Sequence, residues 1–361
     1  MPRTDAARAE YDEETPTEPL VAIVAELRRP GRAHPDAIAE ACFAVSEWAL
    51  GVEAEGTALL FAEAGALARP TNARQAWLVG RMLRNAGHLR EGELWLRRAA
   101  RVAVWGGDAE TQDLALNSLG NLYLQQGLFV EALEYLSRAL TLAQRSRLKH
   151  REGPVSHDLF QVFVVTGNHS RAEEMAVCAF SLYGPGHPNL PKLAHDVAYL
   201  WLEQRRFPLA LPVLRALLPH LPLPHERLRV LASTARAAGA CGDRPGYEAA
   251  RTEASRLMRQ PTTEMRGFLS GALIDLAYGA ASVSDWEYAA EALARALEVA
   301  HERGAHDDAA EAETALGMVR HREHVETPRR PTPGAAAQLS DALARVLEAA
   351  APEAPVGGGT T

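Results

Sequence analysis

The chain has 361 residues, 47% of them apolar and 23% charged, a balance that can bury a sizeable core. The net charge of −8, with no Lys/Arg-rich run, argues against a general binder of nucleic-acid backbones. No stretch of about 20 apolar residues and no apolar run behind a basic start occurs, so neither a membrane span nor a secretory leader is expected, and the cytoplasm is the expected location. Ala, Leu and Arg recur throughout while aromatics are only 6%. That mixture favours helix, because these side chains lose little rotamer freedom there.

Residues 1–17 read as a disordered acidic start. Within residues 1–19, Asp5, Glu10, Asp12, Glu13, Glu14 and Glu18 stand against Arg3 and Arg8, half of the net charge. Leu20, Ile23, Val24 and Leu27 mark a short helix that caps the first helical pair. Degenerate helical pairs are expected at 39–70 (Ala58, Pro70) and 228–258 (Ala235, Gly242).

The clearest unit runs from Asp113 to about Ser146. It holds Leu119-Gly120-Asn121-Leu122-Tyr123, then Gly127, then Ala132, Leu136 and Ala139. Two helices separated by Gly127 fit this spacing, with Gly120 and Ala132 at their crossing. The same register returns at Gly80, Gly87, Gly92, Leu96 and Ala99, and at Phe160, Gly167, Ala172 and Ala179. It continues at Ala198, Trp201, Ala210 and Leu214, and at Ala277, Ala289, Leu293 and Ala296, with a last helix near Asp308. Crossing positions fall at 80, 120, 160, 198, 235 and 277. A fixed period of this kind predicts stacked supersecondary units rather than a closed bundle.

This pattern resembles the tetratricopeptide repeat. With Asp113 as the first position of the unit, Leu119-Gly120, Tyr123, Ala132 and Ala139 occupy the family's signature places. Leu116 stands where the family has Trp, and Gln144 where it has Pro. The intervals between crossings, 37 to 42 residues, exceed the family's period of about 34 and are similar to the longer, kinesin-light-chain type of repeat. The loop Tyr183-Gly184-Pro185-Gly186-His187-Pro188 is one place for the surplus. The resemblance implies an all-α fold, a right-handed superhelix (solenoid) of about six to seven stacked hairpins over residues 18–325. A Pro-rich linker (326–335), an amphipathic helix (336–350) bearing Leu339, Leu343, Val346 and Leu347, and a flexible tail (351–361) complete the expected organisation. That helix either caps the array or docks on a groove or a partner.

The resemblance further implies that the first helix of each hairpin lines a ligand groove. The corresponding positions are Arg74, Trp77, Arg81, Arg84 and Asn85; Asn117, Asn121 and Gln125; His157 and Gln161; then Lys192, His195, Tyr199 and Glu203, followed by Arg229, Arg236 and Tyr278. Arg74, Arg81 and Arg84 share a helical face, and guanidinium groups there suit a carboxylate or phosphate. Asn117 and Asn121 offer amides for an extended peptide backbone. The expected function is a non-catalytic scaffold for a protein or peptide with an acidic or C-terminal carboxylate group; a homodimer through terminal hairpins is left open. The alternative is a peptide-sensing bacterial regulator lacking a DNA-reading domain of its own.

His157-Asp158 and His195-Asp196 occupy equivalent positions of successive units, a pattern that divalent metal ligation or acid–base chemistry could use. A metal enzyme built on them is the distant alternative, and His321-x-x-His324 is a weaker pair. No Walker loop, GxSxG or HExxH occurs, so no cofactor is expected. Cys42, Cys178 and Cys241 are too far apart for a zinc ribbon and read as small buried hydrophobes.

Overall fold

A computed structural model of the chain describes residues 17–29, 33–259, 262–323, 325–326 and 334–351. The expected disordered start, most of the linker, the tail and His324 lie outside the described residues. The described residues are helical. In the first half these are α1 (Thr17–Leu27), α2 (Pro35–Gly51), α3 (Glu55–Ala68), α4 (Ala73–Asn85), α5 (Leu89–Gly106), α6 (Ala109–Gln125), α7 (Phe129–Arg145), α8 (Lys149–Val165) and α9 (His169–Tyr183). In the second half they are α10 (Leu190–Glu203), α11 (Phe207–Leu217), α12 (Pro224–Ala240), α13 (Arg244–Met258), the single turn α14 (Thr263–Arg266), α15 (Leu269–Ser282), α16 (Trp286–Arg303), α17 (His306–Arg320) and α18 (Ala335–Ala349).

The chain divides into two compact units, residues 1–175 and 176–361, with the boundary inside α9. In each unit consecutive helices pair as hairpins: α2/α3, α4/α5 and α6/α7 in the first, α10/α11, α12/α13 and α15/α16 in the second. Helices of up to 18 residues absorb the long period that the sequence shows.

Local chemistry sets the hairpins. Side chains of Asn72, Asp108, Asp243 and Asp285 accept the backbone N–H three residues on, which caps the following helix. The turn inside a hairpin needs one left-handed residue. Gly87, Gly127, Gly167 and Gly242 supply it with φ between 72° and 80°. Arg205 and Ser284 take the same conformation where the glycine is missing, at φ of 58° and 65°. This is why the register looks degenerate in the sequence of the second unit.

The core of the first unit gathers Trp77, Leu96, Leu119, Leu136, Val155 and Leu159. Where α6 and α7 cross, a Cβ on Gly120 would come within 2.8 Å of Leu136 Cδ2 and 3.3 Å of the Ala132 carbonyl oxygen. The second unit buries Trp201, Phe207, Leu214, Leu231, Leu276 and Leu293. One close approach in it joins the first helices of two hairpins. A Cβ on Gly279 of α15 would lie 2.6 Å from the Ala235 carbonyl oxygen of α12, and one on Gly239 would strike the Gly279 carbonyl. Here backbone meets backbone, so no side chain can yield.

The C-terminal helix neither caps the last hairpin nor lies on the first-helix face. α18 packs on α11, the second helix of the first hairpin of its own unit. Leu339, Leu343 and Leu347 are buried there, as the apolar stripe requires. Ser340 Oγ donates to the Leu209 carbonyl (2.7 Å), and His220 Nε2 meets the Leu347 carbonyl (2.8 Å).

Stability measurements check this account. Gly239→Ala should lower Tm despite the better helix propensity of alanine, because overpacking against a backbone costs roughly 1–3 kcal/mol. Gly271→Ala, on the open side of α15 with nothing within 4 Å of a new Cβ, should raise stability by about 0.5–1 kcal/mol. Leu343→Ala in α18, fully buried against its own unit, should cost about 2–5 kcal/mol in denaturant unfolding.

Candidate functional site

In the first unit, the first helices α4, α6 and α8 present a polar face. Trp77 is 7% exposed, and its Nε1 donates to Ser118 Oγ of α6 (3.0 Å). Expected to face a ligand, it is instead structural, because its large ring fills the space between neighbouring hairpins. Its ring still carries the site: Arg74 lies 4.5 Å and Arg81 4.7 Å from the ring centre. Arg84 donates to the Asn85 side chain (2.9 Å). None of the three arginines forms an ion pair with a carboxylate of the described residues. Burial and then the charge of Arg74 push the pKa of Arg81 down, and burial does the same to Arg84 although Asp158 opposes it. The three guanidinium groups therefore concentrate positive charge on this face, offset within the fold only by the field of Asp158 at Arg84.

The asparagines beside them have a partner already. Asn117 and Asn121 both donate to Asp158 Oδ2 of α8, at 2.6 and 2.7 Å. Arg151 donates to the Asn117 carbonyl oxygen (3.4 Å) and to Asp113 Oδ2 (2.7 Å). Asp113 is fully buried, and burial raises its pKa against the pull of Arg151. One N–H of each amide expected to hold a peptide backbone is thus used to join successive first helices, and the Asn121 carbonyl remains as an acceptor. Gln125 is exposed and Gln161 half-buried. His157 is 4% exposed and packs near Phe160, so it faces the helix interface rather than a ligand.

In the second unit, Lys192 and Tyr199 are exposed and His195 is half-buried, stacked near Tyr199 and 3.2 Å from Asp196 Oδ1. Together with Glu203, Arg229, Phe268 and Asp275, His195 and Tyr199 line a cleft of about 340 Å³. Tyr278, expected on the groove, is buried, and its hydroxyl donates to Glu311 (2.8 Å). Arg229 lies over the Phe268 ring at 4.7 Å. Arg236 was expected to be open to ligand but is only 7% exposed. It donates to Asp275 (2.9 Å) and Glu203 (3.3 Å), stacks 5.0 Å from the Tyr278 ring centre, and meets Glu326 with two nitrogens, at 2.9 and 2.5 Å. Burial works against its charge, yet Asp275, Glu326 and Glu203 hold its pKa well above the usual value. Glu326 itself escaped sequence reading, because it sits in a segment that reads only as linker.

Among the described residues, no group of three or more His, Cys, Asp or Glu side chains is placed to hold a metal ion. Only one cysteine matches the buried expectation: Cys42 is buried, Cys178 is partly exposed and Cys241 is exposed at the end of α12. No helix among the described residues is long and apolar enough to cross a membrane.

The tetratricopeptide-repeat model matches residues 114–146, the unit centred on the α6/α7 hairpin. No curated protein matches the chain. Among solved structures, PilF of Pseudomonas aeruginosa superposes with a TM-score of 0.50 at 16% identity, over 66% of this chain and 99% of that one. A chain of the APC/C hetero-tetramer Cut9–Hcn1 gives 0.50 at 15%, over 96% of this chain and 62% of that one. BtubC (BKLC) from P. vanneervenii gives 0.48 at 16%, over 68% and 94%. At such identities the likeness concerns fold alone. Repeat signature, hairpin geometry and fold agree: the chain is an all-helical array of stacked, tetratricopeptide-like hairpins, with the repeat signature itself at residues 114–146.

Proposed function

We propose that this protein is a non-catalytic scaffold that binds a protein or peptide through the first-helix face of its first unit, and that the ligand brings an acidic group to Arg74, Arg81 and Arg84. The observation that carries this reading is the arginine cluster on and beside Trp77, which has no carboxylate ion pair among the described residues. Guanidinium groups held on a ring and crowded by one another gain most from an incoming carboxylate or phosphate. Burial strengthens such a contact, since the surrounding protein screens it less than water does. Tetratricopeptide repeats are generally protein-binding and non-catalytic, which agrees with this assignment. Asp158 would fix the edge of the site by holding Asn117 and Asn121 in place.

A fluorescent acidic peptide with a free C-terminus, titrated by anisotropy, tests the assignment. Wild type should bind it with an affinity that falls as salt rises. Arg81→Glu should weaken binding about 10-fold or more, the scale of one lost charge-assisted hydrogen bond plus repulsion. Arg81→Lys should fall between, because a lysine cannot offer the planar fork. Equal affinity for wild type and a folded Arg81→Glu chain would remove the arginine cluster from the site.

A further inference from the structure

The second unit holds a carboxylate already seated on its first-helix face. Helix α17 ends at Arg320, and six residues later Glu326 lies on the first-helix face. Glu326 is 9% exposed and grips the Arg236 guanidinium with both oxygens, at 2.9 and 2.5 Å. Arg205 approaches it at 3.8 Å. Residues 327–333 come next in the chain, and α18 then anchors it on α11.

Arg236 does not need this contact for neutrality. Asp275, which also accepts from Ser233 (2.7 Å), lies 2.9 Å from it, and Glu203 lies 3.3 Å away. Glu326 adds a third carboxylate to a cation that already has two, and it arrives from 90 residues away along the sequence. With Arg205 counted as a second cation, Asp275 and Glu203 already match the charge, and Glu326 is the additional carboxylate. The bidentate fork is the geometry by which arginine recognises an acidic side chain. Beside it the cleft continues along Tyr199, Arg229 and Phe268, with Tyr199 48% and Phe268 39% exposed, room for residues flanking an acidic one.

We propose that the Arg236 face of the second unit is a binding site for an acidic residue within an extended peptide, and that Glu326 fills it as a tethered ligand. The inference rests on the reading of first-helix faces as peptide surfaces, but it concerns a different unit and different residues from the arginine cluster. Glu326 follows α17 of the same unit by six residues, so its carboxylate competes at an effective concentration of the order of millimolar. A ligand from outside must displace it, which makes Glu326 a threshold on binding.

The test uses the full-length chain and a fluorescent peptide of its own residues 321–331. Glu326→Gln, which keeps the size of the side chain and removes its charge, should bind this peptide at least about tenfold more tightly than wild type does. The same peptide with glutamine in place of Glu326 should bind neither chain. In wild type, saturating peptide should raise amide hydrogen exchange within residues 321–326. Arg81→Glu should leave this binding unchanged, so that failure of the first-unit assignment and failure here are read separately. Equal affinity for the wild-type and Glu326→Gln chains would overturn the proposal. So would a folded Glu326→Gln chain that loses Tm yet captures no peptide, since Glu326 would then be a structural closure only.

Discussion

Each unit of this protein depends on how closely two helices can approach. A hairpin buries its apolar faces only if its axes come near enough for the flanking leucines to interlock, and that distance is set by the residue at the crossing. In α6/α7 a glycine faces the branch of Leu136, and the contact is side chain against backbone. Between α12 and α15 the restriction is harder, since Gly239 and Gly279 put one backbone against the other. These approaches set the positions of the first helices, and those positions set the polar face that each unit presents.

The two faces handle charge in opposite ways. In the first unit, Trp77 is held by Ser118 and bears two guanidinium groups that the fold leaves without a carboxylate. In the second, Arg236 is surrounded by Glu203, Asp275 and Glu326, and Glu311 stands behind Tyr278. Burying a charge is costly unless it is paired, so the second arrangement is stable alone. The first is stable because its arginines keep partial contact with water and an aromatic ring.

Much of the fold was legible in the sequence because periodic small residues and left-handed glycines carry it. Gly87, Gly127, Gly167 and Gly242 mark hairpin turns directly, and Leu119-Gly120 with Ala132 marks a crossing. The turns at Arg205 and Ser284 were harder to see, since a non-glycine residue in the left-handed region leaves no compositional trace. The candidate sites were less legible. Register places a residue on a helical face, but it does not say how deep that face lies once neighbours have packed. Trp77, His157, Arg236 and Tyr278 were assigned to the surface by register and are buried by neighbouring helices. The pairing of Asn117 and Asn121 with Asp158 is a contact between successive hairpins, and the arrival of Glu326 at Arg236 spans a segment without any repeat pattern. Spacing within one repeat determines neither.

The return of α18 to α11 changes what kind of folding problem the second unit poses. An open stack of hairpins contacts only its neighbours, so it can fray from the end and form in any order. The bond from Ser340 to the Leu209 carbonyl joins residues 131 apart and closes that stack on itself. Such a closure demands a large loop entropy before it returns any contact, which slows assembly. Once made, it ties α18 to the first hairpin of the unit. The hairpins between them then melt as one cooperative block instead of peeling away singly.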